Sequence, residues 1–129
     1  MDLFVVGVSG NIYHRGWNGS AWTGWAQVLG GVAAAGSRVA VSARRSNIID
    51  IFAISKNRNV VTATKWDGGS WSGWQNVAGG VAGSAGQLTV TSRGLDKLDV
   101  FVVGGDGGVW TAVWDLAVSP DWRGWWRLP

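Results

Sequence analysis

The sequence predicts an all-β protein built from a repeated unit, and three observations support this. Its 21 glycines and 11 tryptophans, with only two prolines, are typical of short strands joined by tight turns. The motif Asp-x-Phe begins at Asp2, Asp50 and Asp99, at spacings of 48 and 49 residues. No segment shows the apolar spacing of a helix over three turns. Short strands and a long internal period therefore determine the fold class.

Three columns of tryptophan keep the same register through the repeats. They are Trp17, Trp66 and Trp114, then Trp22, Trp71 and Trp122, then Trp25, Trp74 and Trp125. The third repeat needs an insertion within residues 116–121 to keep this register. The chain is thus interpreted as one repeat region over residues 1–129, with repeats at approximately 2–49, 50–98 and 99–129.

Each repeat divides into short candidate strands separated by turn signals. In the first repeat the strands are 2–8, 11–17, 22–29 and 37–44, and the turns lie at 9–10, 18–19 and 30–31. A period near 48 residues with four antiparallel strands describes one blade of a β-propeller. The small side chains of 37–44 suit the crowded axis, so this strand is predicted innermost. The Asp-x-Phe strand comes next, then the strand ending in Trp17, with 22–29 outermost.

The chain does not contain a whole number of blades. In this frame it begins at the second strand of a blade and holds eleven strands, or about 2.75 four-stranded blades. Propellers close with roughly four to eight blades, and an open arc exposes an apolar face at each end. We therefore expect oligomerisation to complete the ring, with a dimer favoured and a trimer as the alternative. What fills the missing inner strand of the first blade stays open.

Enzymatic and metal-dependent functions find little support. All eight acidic residues are Asp, and three of them share one repeat position, which favours a structural role over an acid–base pair. There is no cysteine and a single histidine, His14, so thiolate and His-rich metal sites are excluded. His14 is predicted to be an exposed strand residue whose counterpart is residue 62 or 63. We expect no catalytic residue, no metal and no cofactor.

The charge pattern, the lengths of the apolar runs and the N-terminal segment bear on the partners and the cellular location. The net charge is +3, and the eleven Lys and Arg residues are scattered, which disfavours a nucleic-acid partner. No apolar run approaches the roughly 18 residues of a membrane span. The segment around Asp2 lacks the features of a signal peptide, so we expect a cytoplasmic location or release without a classical signal.

Carbohydrate binding fits this composition best. Rigid indole rings match the apolar faces of sugars, and arginine suits their hydroxyl groups. In each repeat the last two tryptophans are three residues apart, so on one strand they point to opposite faces. Arg44 and Arg93 recur at the end of the inner strand, either as hydroxyl-binding groups or in salt bridges to Asp50 and Asp99. The candidate sugar-binding residues are Trp22, Trp25, Arg44, Trp71, Trp74, Arg93, Trp122 and Trp125.

The combined motif D-x-F-x-x-G, W-[ND]-G-[SG]-x-W-[ST]-G-W and G-G-V resembles the PLL-like bacterial fucose-binding lectins, which are Trp-rich seven-bladed β-propellers. The resemblance covers nearly the whole chain, but the third repeat departs from it at Asp115–Leu116 and in the insertion. It implies non-catalytic binding of fucose or related sugars between adjacent blades. The alternatives are a propeller fragment or engineered self-assembling scaffold without ligand binding, and a targeting domain of a secreted enzyme.

Overall fold

The computed structural model describes residues 1–34, 36–57, 60–83 and 86–129. These residues form eleven β-strands in the following order: β1 (Asp2–Val6), β2 (Asn11–Gly16), β3 (Ala26–Val32), β4 (Ala40–Arg45), β5 (Ile48–Ile54), β6 (Val60–Trp66), β7 (Gln75–Val81), β8 (Leu88–Gly94), β9 (Lys97–Val103), β10 (Val109–Asp115) and β11 (Ser119–Arg127). Within the described ranges no helix is long and apolar enough to cross a membrane. The prediction of an all-β fold is confirmed.

The strands form three antiparallel sheets, which we call blades 1 to 3. Blade 1 has the order β1-β2-β3, blade 2 the order β4-β5-β6-β7, and blade 3 the order β8-β9-β10-β11. The predicted succession of inner, Asp-x-Phe, aromatic and outer strands is therefore observed in blades 2 and 3. Blade 1 has three strands and begins with its Asp-x-Phe strand. This arrangement corresponds to the predicted 2.75 blades.

The Asp-x-Phe strand pairs with the following strand in the same register in all three blades. Phe4 lies opposite His14, Phe52 opposite Ala63, and Phe101 opposite Thr111. The counterpart of His14 in blade 2 is therefore Ala63. This equivalence allows the three blades to be compared position by position.

The predicted outer strand 22–29 is displaced in the structure. Trp22 forms only an isolated bridge with Trp17, and β3 begins at Ala26. The Asn18 side chain accepts hydrogen bonds from the backbone N–H groups of Ser20 and Ala21 at 2.9 Å each. These local bonds satisfy the backbone in place of a sheet ladder. Trp22 and Trp25 therefore precede β3, and the prediction that they point to opposite faces of one strand is wrong.

The Gly-Gly pair predicted as a turn at 30–31 lies inside β3. Asn11 pairs with Val32 whereas Ile12 pairs with Val28, so the register shifts across a bulge. Gly30 takes a φ of +81° within it, a conformation that glycine adopts without penalty. Blade 2 has a register shift at the matching place in β7. The pair therefore bends an outer strand and does not end it.

The core lies between the blades because alternate residues of each second strand face opposite neighbours. In β5, Ile51 and Ala53 belong to the cluster shared with blade 1, whereas Phe52 and Ile54 belong to the cluster shared with blade 3. Phe52 and Ile51 are fully buried. This stacking leaves one face of blade 1 and one face of blade 3 without a neighbouring blade.

Close contact between blades 2 and 3 requires glycine at position 80. The Trp125 indole Nε1 donates a hydrogen bond to the Val77 carbonyl at 3.0 Å, and a Cβ atom on Gly80 would lie 2.2 Å from the ring. We expect Gly80→Ala to lower the free energy of unfolding by about 1–3 kcal/mol, because the ring must move. Urea denaturation measures this. Gly105→Ala, whose Cβ would meet nothing within 4 Å, is the control, and an equal loss there would contradict the argument.

Candidate functional site

A cavity of about 480 Å³ lies at the second interface, between blades 2 and 3. Blade 2 lines it with Arg44, Asp50 and Lys65, and blade 3 lines it with Trp114 and Trp122. It therefore combines charged groups from one blade with aromatic rings from the next. Two of the residues predicted from the sequence, Arg44 and Trp122, are brought together here.

Arg44 is the most constrained polar group of this cavity. Its Nε donates a hydrogen bond to Asp50 Oδ2 at 2.7 Å, and its guanidinium lies 4.3 Å from the centre of the Trp114 ring. Only 8% of the Arg44 side chain is exposed. Asp50 occupies a single N–H group, and a guanidinium has four further N–H donors. The carboxylate and the ring thus fix the orientation of Arg44.

Asp96 supports the same arginine from the turn between β8 and β9. Its Oδ1 lies 3.6 Å from Arg44 Nη1, and its carboxylate accepts two hydrogen bonds from Arg45. The hydrogen bonds from Arg45 hold the pKa of the Asp96 carboxyl below its usual range. Asp96 thus links blade 3 to the inner strand of blade 2.

The two tryptophans of the cavity are braced by different contacts. Trp122 meets the Phe52 ring edge-on, with centroids 5.6 Å apart and planes at 89°. The Trp114 indole Nε1 donates a hydrogen bond to the Pro120 carbonyl at 2.9 Å. Trp114 was absent from the residues predicted from the sequence, although its repeat column was evident. Its contact with Arg44 marks Trp114 as a site residue, and Arg44 belongs to the preceding blade and is distant in sequence.

The third tryptophan column takes a different place. Trp125 packs on Gly80 and borders a second cavity of about 420 Å³ with Trp110 and Asp106, away from Arg44. Trp74 packs against the cluster between blades 1 and 2, beside Gly30. Both rings therefore lie between outer parts of adjacent blades. The structure does not bring them to Arg44.

The first interface, between blades 1 and 2, is filled differently. Trp71 lies edge-on to Phe4 and His14, with centroids 6.0 and 6.1 Å away. The His14 ring stacks on Phe4 at 4.7 Å, and its Nε2 lies 2.9 Å from Asp2 Oδ1. His14 is half-buried, contrary to the prediction of an exposed residue. An imidazole ring thus occupies the position that Ala63 holds at the second interface.

The remaining predicted residues lie on the two faces without a neighbouring blade. The Arg15 guanidinium is 5.3 Å from the ring centres of both Trp22 and Trp25, which are 37% and 46% exposed. On blade 3, Arg93 Nε donates a hydrogen bond to Asp99 Oδ2, and 47% of the Arg93 side chain is exposed. The predicted alternative of salt bridges from the two repeated arginines to the repeated Asp is confirmed. Arg93, unlike Arg44, has no described tryptophan contact.

Among the residues that the structure describes, no group of three or more His, Cys, Asp or Glu side chains is arranged to hold a metal ion. The candidate site therefore consists of an oriented arginine, two acidic partners and two aromatic rings. This combination of a guanidinium and aromatic rings has the chemistry to contact a small polar ligand that also has an apolar face.

No protein family and no curated relative matches the chain in sequence. Its fold is similar to solved lectin structures. A complex of a variant Aleuria aurantia lectin with Fucalpha1-6GlcNAc has a TM-score of 0.77 at 16% identity, and the match covers 99% of this chain and 40% of that one. A SapL1 lectin complex with alpha methyl fucoside has a TM-score of 0.73 at 16% identity, covering 99% and 42%.

A further Aleuria aurantia lectin structure, described as a six-bladed β-propeller with a novel fucose recognition mode, has a TM-score of 0.77 at 17% identity. The match covers 99% of this chain and 39% of that lectin, so the chain spans about 40% of the length of these structures. Three stacked antiparallel sheets and this likeness together identify the chain's fold as part of a β-propeller.

Proposed function

We propose that this chain is a non-catalytic, lectin-like module that binds sugars in the cavity between blades 2 and 3. The observation that carries the proposal is Arg44, fixed by Asp50 and stacked on Trp114 at the edge of that cavity. Guanidinium N–H groups donate to sugar hydroxyls, and the Trp122 ring offers an apolar plane to a sugar C–H face.

Fucose is the sugar to test first. The solved structures of similar fold contain alpha methyl fucoside or Fucalpha1-6GlcNAc. The motifs shared with the PLL-like lectins point to the same sugar class. We further propose membership of that family, although the neighbouring folds include six-bladed rings in place of the seven blades it implies.

Calorimetric titration with methyl α-L-fucoside tests this proposal. We expect weak binding at each site, with affinity for glycosylated surfaces arising from multivalency. Trp114→Ala is expected to weaken binding in the cavity between blades 2 and 3 at least about tenfold, since it removes the ring beneath Arg44. The matched control is Trp66→Ala, which changes the same repeat column at the first interface.

Two results would overturn the assignment. One is the absence of heat at millimolar methyl fucoside with a folded protein. The other is an equal effect of the two tryptophan substitutions. The alternative is a self-assembling scaffold without a ligand, favoured by the apolar side chains of Leu3 and Val5, which are 45% and 39% exposed. An assembled protein that ignores all fucosides would support that alternative.

Sugar affinity is expected to fall in mild acid before the protein unfolds. Burial raises the pKa of the Asp50 carboxyl above its ordinary value of 3.8, against the opposing effect of Arg44. Asp50 therefore takes up its proton at a higher pH in the folded than in the unfolded chain. Because the folded state binds that proton more tightly, protonation of Asp50 stabilises the folded chain. The same protonation removes the negative charge that pairs with Arg44, so the arginine is held less firmly for the sugar.

Calorimetry between about pH 7 and pH 4 measures this effect, with circular dichroism to report the fold. The affinity should decline as the pH approaches the raised pKa of Asp50. Asp50→Asn is expected to remove that pH step, because its side chain has no proton to gain. A step that persists in Asp50→Asn would assign the pH dependence to another group.

We also infer that the chain self-associates to close a ring, as a dimer in preference to a trimer. The match to a six-bladed propeller over 99% of the chain supports a blade-to-blade rotation of about one-sixth of a turn. Three such blades span half a ring, so two copies complete it. Light scattering tests this, and a stable monomer of 13.7 kDa would contradict it.

A further inference from the structure

We propose that docking of a second copy creates a second sugar site from two half-sites at opposite ends of the chain. One half-site is Arg93 with Asp99 on blade 3, and the other is Trp17 with Trp22 on blade 1. The inference rests on the proposed function, because it assigns further sites of the same chemistry. The inference also predicts how many sugar sites there are per chain.

The blade 3 half-site repeats the polar part of the cavity at the second interface. Arg93 Nε donates to Asp99 Oδ2 in the same way that Arg44 Nε donates to Asp50 Oδ2. The side chains nevertheless differ in exposure, 47% for Arg93 against 8% for Arg44. The difference arises because Arg44 is covered by the ring of the following blade and Arg93 is not.

The blade 1 half-site has tryptophans from the same two repeat columns as that cavity. Trp17 and Trp22 stand in the repeat columns of Trp114 and Trp122, and each is 37% exposed. Their ring centroids are 5.6 Å apart at 54°, nearly the geometry of Trp66 and Trp71, at 5.4 Å and 52°. The pair is therefore already arranged as in a blade that has a neighbour.

Both end faces expose apolar side chains at positions whose counterparts are buried between adjacent blades. Leu3 and Val5 are 45% and 39% exposed, whereas their counterparts in blade 2, Ile51 and Ala53, are 0% and 2% exposed against blade 1. On blade 3, Phe101 is half-buried at the position where Phe52 is fully buried. A second copy is the occupant whose blade 1 brings Leu3 and Val5 to the exposed face of blade 3, with the Arg15 guanidinium held on the Trp22 and Trp25 rings where blade 3 has the buried Ala112.

The first interface does not add a third site. The described part of blade 1 has no inner strand and so no counterpart of Arg44. His14, stacked on Phe4 and bonded to Asp2, fills the position of Ala63. At the junction between copies the counterpart of Ala63 is Thr111, which leaves that position free of a ring. The count is therefore one site per isolated chain and two per chain in the closed dimer.

Light scattering combined with calorimetric titration of methyl α-L-fucoside tests this count. The unsubstituted protein is expected to have twice the 13.7 kDa mass and to bind two sugars per chain. Arg93→Ala should keep that mass and bind one sugar per chain, since it removes only the junction site. Val5→Asp, which places a charge on the exposed face of β1, should give a monomer that binds one sugar per chain.

The outcomes separate this inference from the proposed function. One sugar per chain in a dimer of the unsubstituted protein, or an unchanged stoichiometry in Arg93→Ala, would overturn the inference and leave the proposed function intact. A monomeric unsubstituted protein would also overturn the inference. No sugar bound by any folded variant would overturn the proposed function itself.

Discussion

Arg44→Ala is expected to lower the free energy of unfolding by about 3–5 kcal/mol, the cost of breaking a buried ion pair from one side. Arg44 is the partner of Asp50, and both side chains are less than 10% exposed. Removing the guanidinium leaves a buried carboxylate without its compensating charge and takes away the group stacked on Trp114. Urea denaturation without sugar measures the loss.

Arg45→Ala is the matched control, because it removes the next side chain of the same strand. Arg45 also bonds an aspartate, Asp96, but its own side chain is 47% exposed. The Asp96 side chain is 14% exposed and bonded by Arg45 through two atoms, so some loss of unfolding free energy is expected, but with one partner half-exposed it should stay well below that of Arg44→Ala. Similar losses in the two variants would mean that burial of the Arg44–Asp50 pair is not the source of the effect.

The fold could be predicted because the repeat carries it redundantly. Three tryptophan columns and three Asp-x-Phe strands give the same period, and each second strand aligns Phe4, Phe52 and Phe101 in one register. The pairing of the repeated arginine with the repeated aspartate six residues later could also be predicted. A short hairpin brings these two positions together in blades 2 and 3 alike.

The start of the outer strand was predicted wrongly because local hydrogen bonds compete with sheet pairing there. Asn18 in the first repeat and Asp67 in the second each accept two backbone N–H bonds in their turn. Those bonds also hold the pKa of the Asp67 carboxyl below its usual range, because they stabilise its ionised form. The strands β3 and β7 consequently begin after Trp25 and Trp74.

The sequence alone could not predict which tryptophans belong to the core and which to the candidate site. Trp22, Trp71 and Trp122 share one motif position, yet one is exposed, one covers His14 and one borders the cavity beside Arg44. What differs is the blade that faces each ring: for Trp71 and Trp122 it belongs to the previous repeat, whereas Trp22 lies on the face of blade 1 that has no neighbouring blade in the described chain. A single repeat therefore does not contain the information that decides the role.

Phe52→Ala is expected to lower the free energy of unfolding by about 3–5 kcal/mol through the cavity it leaves. Phe52 is fully buried in the cluster between blades 2 and 3, and its ring is the edge-on partner of Trp122. Loss of that ring also frees Trp122 to turn, so sugar affinity should fall together with stability. Urea denaturation and calorimetric titration on the same preparation measure both quantities.

Phe52→Leu separates the two effects, because it keeps most of the buried volume and removes only the aromatic edge. Its cost in stability should stay below about 1.5 kcal/mol. If Phe52 acts on the sugar site by holding the Trp122 ring, the leucine variant still loses affinity although it is nearly as stable as the unsubstituted protein. If affinity follows stability in both variants, Phe52 supports the site only by holding the two blades together.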